Sequence, residues 1–318
     1  MTTGKKSYIF LTGGLGNQLF QLAFLQTRVS DIKIAEITLG NPRLNTNGIP
    51  DICDFQFSDS VQFRTLNGKS TATRKLPGYF LRLGLKTHNR PMSSLLHSAL
   101  QILGNLLLSV KLRDRVKIVY SRDNGFNYLP ESKANEYLVG YFQSYKWVQE
   151  DESLNDLFRS IRLKNPSDDF RTFLNSVRNK KTLAVHVRLG DYFNDPTLGI
   201  LHKSYYQRAI SEMIESDTFD EIWLFSNEPE HAMEFIPDFC KQSVKIVPNF
   251  SGSASETLEA MRHASAYVIA NSSLSWWGAA LSYSLNPKVI APKPWFAGKP
   301  EPRDLIPNSW KQIKVLVD

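Results

Sequence analysis

The chain has 318 residues, of which 42% are hydrophobic and 12% aromatic, and it carries a formal net charge of +7. These values predict a soluble globular protein with one large or two medium domains, each with its own core. Its two cysteines, Cys53 and Cys240, lie far apart and outside any metal-type spacing. This argues against a disulfide framework or a zinc site and favours a reducing cytoplasm.

The first predicted elements are a strand over residues 7–12, a glycine turn and a helix that starts near Asn17. The apolar run before the glycines has about six residues, too short for a signal peptide or a membrane span. Gly14 and Gly16 resemble the start of a dinucleotide fingerprint, but Leu19 occupies the third glycine position and no P-loop lysine follows. The turn is expected to let backbone N–H groups approach an anion or a sugar, unless it is only a tight connection.

The segment 62–118 holds eleven Lys or Arg residues against one acidic residue, Asp114. The apolar residues that recur inside it at helical spacing are Leu96, Leu100, Leu103, Leu107 and Val110. Such an amphipathic helix most often faces a core, but a basic surface with an apolar stripe also suits an anionic membrane. No spacing typical of a nucleic-acid-binding fold accompanies the charge, so no nucleic-acid partner is expected.

From about residue 165 onwards, short apolar strands alternate with amphipathic helices, which predicts βαβ units on a parallel sheet with both faces covered. The strands are predicted at 182–187, 221–226, 244–248, 266–270 and 288–292. With the glycine-turn unit at the start, this pattern predicts an α/β protein of two Rossmann-like domains, 1–165 and 166–318, facing a central cleft. Ligands are then expected at the carboxyl ends of the strands.

Arg188 follows the Val-rich strand at 182–187 and is the most informative single residue. An arginine there is costly to bury unless it is paired, and its planar guanidinium suits a diphosphate bidentately. Beside a departing nucleoside diphosphate it would neutralise the negative charge that develops. An ion pair with Asp191 is the structural alternative. His186, two residues earlier on the same strand face, is either a hydrogen-bonding partner for a nucleotide or a core residue.

Two further polar clusters follow predicted strands. Asn271, Ser272 and Ser273 precede a helix, where a serine can cap it or free N–H groups can hold a second anion. Ser226 and Asn227 end the strand at 221–226, where an asparagine can read the edge of a base. These clusters point to a nucleoside-diphosphate sugar as ligand.

Several other chemistries lack their motifs. The six histidines are scattered and no Asp-x-Asp occurs, so no metal is expected. No Gly-x-Ser-x-Gly elbow of a hydrolase is present either. Trp276 and Trp277 lie one turn inside a predicted helix and are expected to pack rather than to stack on a sugar.

Six segments, in order and spanning nearly the whole chain, resemble the bacterial α-1,2-fucosyltransferases: GGLGNQLFQLAF, HVRLGDY, LHKSYYQRAI, LFSNE, IANSSLSWWGAAL and VIAPKPWF. The resemblance implies a GT-B-type enzyme that uses GDP-β-L-fucose without a metal or other cofactor. It also implies inversion at the anomeric carbon and an α-1,2-linked fucose on galactose. The donor-binding positions that it implies are Gly14, Gly16, Asn17, His186, Arg188, Ser226, Asn227, Asn271, Ser272 and Ser273.

The resemblance does not identify the catalytic base. Either Asp191 accepts the proton of the acceptor hydroxyl, or the departing phosphate accepts it in a loose transition state. In the second case Asp191 would instead orient Arg188. The related pattern usually reads H-x-R-R-x-D, and Leu189 stands here in place of the second arginine. Because successive strand residues point to opposite faces, this loss is expected to remove a structural charge rather than the main diphosphate contact.

The predicted protein is a cytoplasmic α-1,2-fucosyltransferase that acts on a galactose-terminated oligosaccharide or glycolipid. Such an acceptor fits the synthesis of a surface polysaccharide. Its expected partners are GDP-fucose, the acceptor and, through the basic segment 62–118, the inner face of an anionic membrane. A transferase of another linkage or another GDP-sugar, and a glycan-binding protein without activity, are the alternatives.

Overall fold

The computed structural model describes residues 4–36, 43–45, 47–57, 61–64, 102–106, 109, 115–121, 132–193, 198–297 and 300–315. The chain divides into two compact units, Met1–Leu157 and Phe158–Asp318, close to the expected boundary at 165. The resemblance to fucosyltransferases also implies that the first domain binds the acceptor and the second the GDP-sugar donor, and this division of roles stays a prediction. Most of the basic segment 62–118 lies outside the described residues.

The N-terminal unit is built on a parallel sheet. Its elements are β1 (Lys6–Phe10), α1 (Leu15–Gln26), β2 (Ile32–Glu36), β3 (Phe55–Gln56), β4 (Val61–Arg64), β5 (Val116–Tyr120), β6 (Asn135–Val139), α2 (Lys146–Gln149) and α3 (Glu152–Arg159), which leads into the second unit. In the described part the sheet has the strand order β4-β2-β1-β6-β5. Because β2 lies on one side of β1 and β6 on the other, the glycine turn after β1 sits where the strand order reverses.

The C-terminal unit has a second, wider parallel sheet. Its elements are β7 (Arg162–Leu163), α4 (Asp168–Val177), β8 (Thr182–Val187), α5 (Lys203–Ser216), β9 (Glu221–Ser226), α6 (Pro229–Ala232), β10 (Val244–Ile246), α7 (Ala254–Arg262), β11 (Ala266–Val268), α8 (Ser273–Ala280), β12 (Lys288–Lys293) and β13 (Lys311–Lys314). The order β10-β9-β8-β11-β12-β13 is the 3-2-1-4-5-6 order of a Rossmann fold. The order reverses between β8 and β11, so a ligand site is expected there.

The predicted α/β class with two Rossmann-like units is confirmed by these two sheets. The strands β8 and β9 have the predicted bounds because each is a continuous buried run. Cys53 and Cys240 are free thiols in the structure. Within the described ranges, no helix is both long and apolar enough to cross a membrane.

Candidate active site

Arg188 lies at the carboxyl end of β8, half-buried, next to the point where the strand order reverses. Its guanidinium carbon is 5.5 Å from the centre of the Tyr192 ring, a distance that allows a cation–π interaction. Burial raises the pKa of the Tyr206 phenol well above its usual range, while a backbone hydrogen bond from Arg188 acts in the opposite sense. Two tyrosines therefore hold the backbone and the charged end of Arg188.

The turn after Arg188 is locked to the end of β9. The backbone N–H of Leu189 donates to Oδ1 of Asn227 at 3.1 Å. Gly190 has a φ of +58°, and a Cβ atom there would lie 2.4 Å from Nδ2 of Asn227, so only glycine fits. Ser226 Oγ accepts a hydrogen bond from the N–H of Glu228 at 3.1 Å. Ser226 and Asn227, at the end of β9, therefore lie close to Arg188 and form hydrogen bonds to backbone N–H groups. Their contact with a nucleoside stays a prediction.

His186 is almost fully buried near the end of β8, with 5% of its surface exposed. Desolvation, helped by the charge of Arg188, lowers the pKa of His186 to about 3, so its imidazole is neutral at physiological pH. Its Nδ1 is buried and has no hydrogen-bond partner among the described residues. A buried nitrogen without a partner is costly, and a bound ligand would remove this cost by hydrogen bonding to it.

Asn271 and Ser272 lie between β11 and α8, on the other side of β8. Asn271 is 2% exposed, and its Nδ2 donates to the carbonyl oxygen of Leu198 at 2.7 Å. The Tyr192 hydroxyl donates to the Asn271 carbonyl oxygen at 3.4 Å. Asn271 therefore ties the loop at residue 198 and the turn after β8 to the start of α8. Its side chain is positioned for this structural role, and phosphate binding by residues 271–273 stays a prediction.

Two helices differ from the others at their first turn. Ser272, one of the two serines predicted as N-cap, occupies the N-cap position of α8, and Gly14 occupies that of α1, but neither helix has a side-chain cap. In the described part, the remaining helices of eight or more residues have their first-turn N–H groups capped by Asp151, Ser167, His202 and Ser253. The first turns of α1 and α8 therefore lack the side-chain acceptor that the other helices have, which suits an anionic ligand.

The glycine turn after β1 is held from inside by Gln18, which is fully buried. Its Nε2 donates to the carbonyl oxygens of Gly13 and Arg43 at 3.0 and 3.1 Å, and its Oε1 accepts from the N–H of Ile52 at 3.0 Å. A Cβ atom on Gly14 would meet open space, whereas Gly13 has a φ of +73°. The turn is therefore rigid on one side and open at Gly14, as a close approach by a ligand requires.

Two glutamines complete this edge of the N-terminal sheet: Gln143, which lies outside every motif, and Gln21, which lies inside the segment GGLGNQLFQLAF but has no predicted role. Gln143 Nε2 donates to Asn17 Oδ1 at 2.8 Å, and Gln21 Nε2 donates to the Gly140 carbonyl oxygen at 2.8 Å. Phe142 has a φ of +51°, an uncommon conformation for a bulky residue. The signal in the sequence is a glycine soon after a buried strand, Gly140 directly after β6 and Gly13 three residues after β1. Strained backbone of this kind concentrates at functional edges.

The remaining predicted residues have these positions. Gly16 is buried inside α1. The side chain of Asp191 lies outside the described part, so its role stays a prediction. Trp276 and Trp277 are fully buried, and Trp276 Nε1 donates to the Leu305 carbonyl oxygen at 2.8 Å, which confirms that they are packing residues. No cluster of three metal-ligating side chains occurs in the ranges that the structure describes.

Asp51 is a buried carboxyl group near the glycine turn, 3% exposed. Its Oδ2 has no hydrogen-bond partner in the described part of the chain and lies 3.9 Å from Nε of Arg43. Desolvation raises the pKa of Asp51 from 3.8 to about 6; Arg43 lowers it and Asp54 raises it further. Between about pH 4 and pH 6 the folded state therefore holds a proton on Asp51 that the unfolded chain has already released.

The Asp51→Asn variant is expected to change how stability depends on pH. Because the folded-state pKa is raised, the stability that Asp51 contributes is fully present below about pH 4 and lost as the pH rises through about 6. The variant should flatten this decline and raise the free energy of unfolding above pH 7 by about 1–2 kcal/mol. Urea denaturation across this range measures both effects. Asp168→Asn, on a carboxylate that is 94% exposed, is the control, and an unchanged slope in Asp51→Asn contradicts the assignment.

Comparisons with known proteins cover both units. The family model described as Glycosyl transferase family 11 matches residues 7–301. The O-antigen biosynthesis glycosyltransferase WbnK of Escherichia coli is 25% identical over 95% of this chain and 99% of its own length. An α-1,2-colitosyltransferase of Escherichia coli is 28% identical over 57% of this chain and 64% of its own. Among solved structures, the fucosyltransferase NodZ from Bradyrhizobium aligns with 88% of this chain and 94% of its own, at 14% identity and a TM-score of 0.47.

Proposed function

Since the chain belongs to glycosyl transferase family 11, we propose that it is a galactoside α-1,2-fucosyltransferase. The proposed reaction transfers L-fucose from GDP-β-L-fucose to the 2-hydroxyl of a galactose in an oligosaccharide or glycolipid, with inversion at the anomeric carbon. The observation that carries the proposal is the placement of Arg188. It lies where the strand order reverses, between the end of β9 and the uncapped first turn of α8.

In this proposal the acceptor O2 forms a bond to C1 of fucose as the bond from C1 to the β-phosphate oxygen breaks. Negative charge then grows on the departing diphosphate, and the guanidinium of Arg188 with the N–H groups of α8 stabilises it. The proton of the acceptor hydroxyl passes to Asp191 or to the departing phosphate. His186 does not take this proton, because a group with a pKa of about 3 is a weak base. Its role is to hydrogen-bond the nucleoside.

The glycine turn of the N-terminal unit is proposed to contact the donor phosphate, the acceptor sugar or both. The open side of Gly14 and the rigid backbone held by Gln18 suit the close approach of a sugar. The relative that is named for O-antigen biosynthesis supports a surface polysaccharide as the product. Its similarity extends over nearly the whole of both chains, so the same class of acceptor is proposed here.

Colitose is the second candidate for the transferred sugar, because one relative is an α-1,2-colitosyltransferase. That relative matches 57% of this chain, and its name specifies the same linkage. We favour fucose because the six motifs resemble fucosyltransferases along nearly the whole chain. The two donors are distinguished by measuring turnover with each of them separately.

The test is GDP release from GDP-fucose and from GDP-colitose, each with lactose as acceptor, followed by linkage determination of the product by NMR. An α-1,2-linked fucose on galactose supports the proposal. Release only with the colitose donor, or a product of another linkage, overturns it in favour of the corresponding alternative. The Asp191→Asn variant in the same assay tests the base: loss of turnover with unchanged KM for the donor supports a catalytic role.

Turnover is expected to be independent of divalent metal. We propose that Arg188 and the α8 N-terminus supply the positive charge that a metal would otherwise provide at the diphosphate. GDP release should therefore be unchanged after dialysis against EDTA and should not rise when Mg²⁺ or Mn²⁺ is restored. A loss of turnover with EDTA that Mn²⁺ reverses would contradict this proposal.

A further inference from the structure

The edge strand β5 is covered by a short helical segment from the basic region. Residues 102–106 are helical, and Asn105 Oδ1 accepts a hydrogen bond from the Ile118 N–H at 2.7 Å. Ser109 Oγ accepts one from the Val116 N–H at 3.0 Å. Both hydrogen bonds run from N–H groups of β5 to side chains of this segment. The polar face of this segment, and not its apolar face, is turned toward the sheet.

The apolar side chains of the same segment are exposed. Ile102, Leu103 and Leu106 have 68%, 47% and 60% of their surface exposed. Gly104 is buried, and a Cβ atom there would lie 3.2 Å from the Ile118 side chain, which marks the face in contact with β5. The expectation that this helix buries its leucines in a core is therefore wrong for Leu103. Three large apolar residues side by side at the surface require a partner.

The charge of the surrounding sequence indicates the kind of partner. The segment 62–118 carries eleven basic residues and one acidic residue. Exposed apolar side chains within a stretch of sequence that is rich in lysine and arginine suit the interface of a bilayer with anionic headgroups, where apolar groups insert and cations pair with phosphate. A protein partner of ordinary composition would not require this excess of positive charge.

We propose that the exposed face formed by Ile102, Leu103 and Leu106 docks the protein on a membrane that contains anionic lipid. The hydrogen bonds of Asn105 and Ser109 to β5 fix this face outward, so that docking needs no rearrangement of the sheet. This interaction is peripheral, because the segment lies along the sheet edge. It does not depend on which sugar the enzyme transfers.

The test is flotation of the full-length protein with two kinds of vesicle, phosphatidylcholine alone and phosphatidylcholine mixed with phosphatidylglycerol. The protein should float with the mixed vesicles, and high salt should weaken this binding. Ile102→Glu with Leu106→Glu should weaken it by at least about tenfold. The matched control is Phe239→Glu with Leu285→Glu, which changes two exposed apolar residues of the C-terminal unit, 68% and 89% exposed, and should bind as the wild type does.

Three outcomes would overturn the proposal. The first is a wild-type protein that stays unbound with anionic vesicles, and the second is equal binding by the Ile102→Glu, Leu106→Glu variant. The third is a wild-type dimer that this variant converts to a monomer in sedimentation without any vesicle binding, which would assign the face to a second copy of the chain. GDP release with lactose, a soluble acceptor, should be the same in the variant and the wild type, which shows that the variant is folded.

Discussion

The Arg188→Ala variant is expected to lower the turnover of GDP-fucose by about three orders of magnitude while the fold stays intact. The guanidinium is the proposed counter-charge for the departing diphosphate, and its contribution is largest when the bond to the sugar has broken. The effect should therefore fall mainly on kcat. Arg188→Lys should be intermediate, because it keeps the charge but loses the bidentate geometry. GDP release with saturating lactose measures both variants.

A matched control for Arg188 is Arg171→Ala, on α4 of the same unit. Arg171 is 58% exposed and pairs with Asp168, which is itself almost fully exposed, so its removal should change neither turnover nor stability appreciably. Thermal denaturation should give a transition close to that of the wild type for Arg188→Ala as well, because this residue is only half-buried and alanine keeps the backbone hydrogen bond to Tyr206. Near-wild-type turnover in Arg188→Ala would show that the diphosphate is bound elsewhere.

The Leu189→Arg variant is expected to lower the free energy of unfolding by about 3–5 kcal/mol. This change restores the arginine that the related pattern usually carries. Leu189, however, is 2% exposed and belongs to the apolar core under β8, together with Val187 and Leu201. The described residues of this core include no carboxylate that could pair with a guanidinium. An unpaired buried charge is strongly destabilising. Urea denaturation measures the loss.

Two controls separate burial from charge at position 189. Leu189→Met conserves the apolar volume and should cost less than about 1.5 kcal/mol. Leu285→Arg introduces the same charge at a leucine that is 89% exposed and should be nearly neutral. If Leu189→Arg were as stable as the wild type and bound GDP-fucose more tightly, the new side chain would have to reach the diphosphate. The interpretation of Leu189 as a core residue would then be wrong.

The C-terminal half of the fold was predictable because its strands are short, continuous apolar runs that must be buried on both faces. Once β8, β9 and β11 are placed in a parallel sheet, their carboxyl ends meet at one edge. Arg188, Asn227 and Asn271 are therefore expected to come close together, as the structure has them. The same reasoning does not reveal what each side chain binds. For example, Asn271 donates a hydrogen bond to the carbonyl oxygen of Leu198, which lies 73 residues away in the sequence, and no local pattern predicts such a contact.

The N-terminal half was less predictable for a physical reason. Strands β2 and β4 have only five and four residues, and in β2 (IKIAE) the alternation of apolar and polar residues stops after the third position, so the pattern is weak on its own. The amides of Gln18 and Gln21 have partners as distant as Gly140, and no local signal marks them as buried. The helical segment near Leu103 shows the opposite case, in which a residue that was expected to be buried is exposed. Apolar spacing alone does not specify which helix face contacts the sheet. Backbone groups at the edge of β5 needed acceptors, and Asn105 and Ser109 supply them.

The contact between Gly190 and Asn227 has a consequence for evolution and engineering. The side-chain amide of Asn227 occupies the space that any larger residue at 190 would need, while its oxygen holds the backbone of Leu189. Substitutions at these two positions should therefore be strongly non-additive. Variant libraries aimed at a new sugar donor should therefore vary positions 190 and 227 together, because some functional combinations require both residues to change.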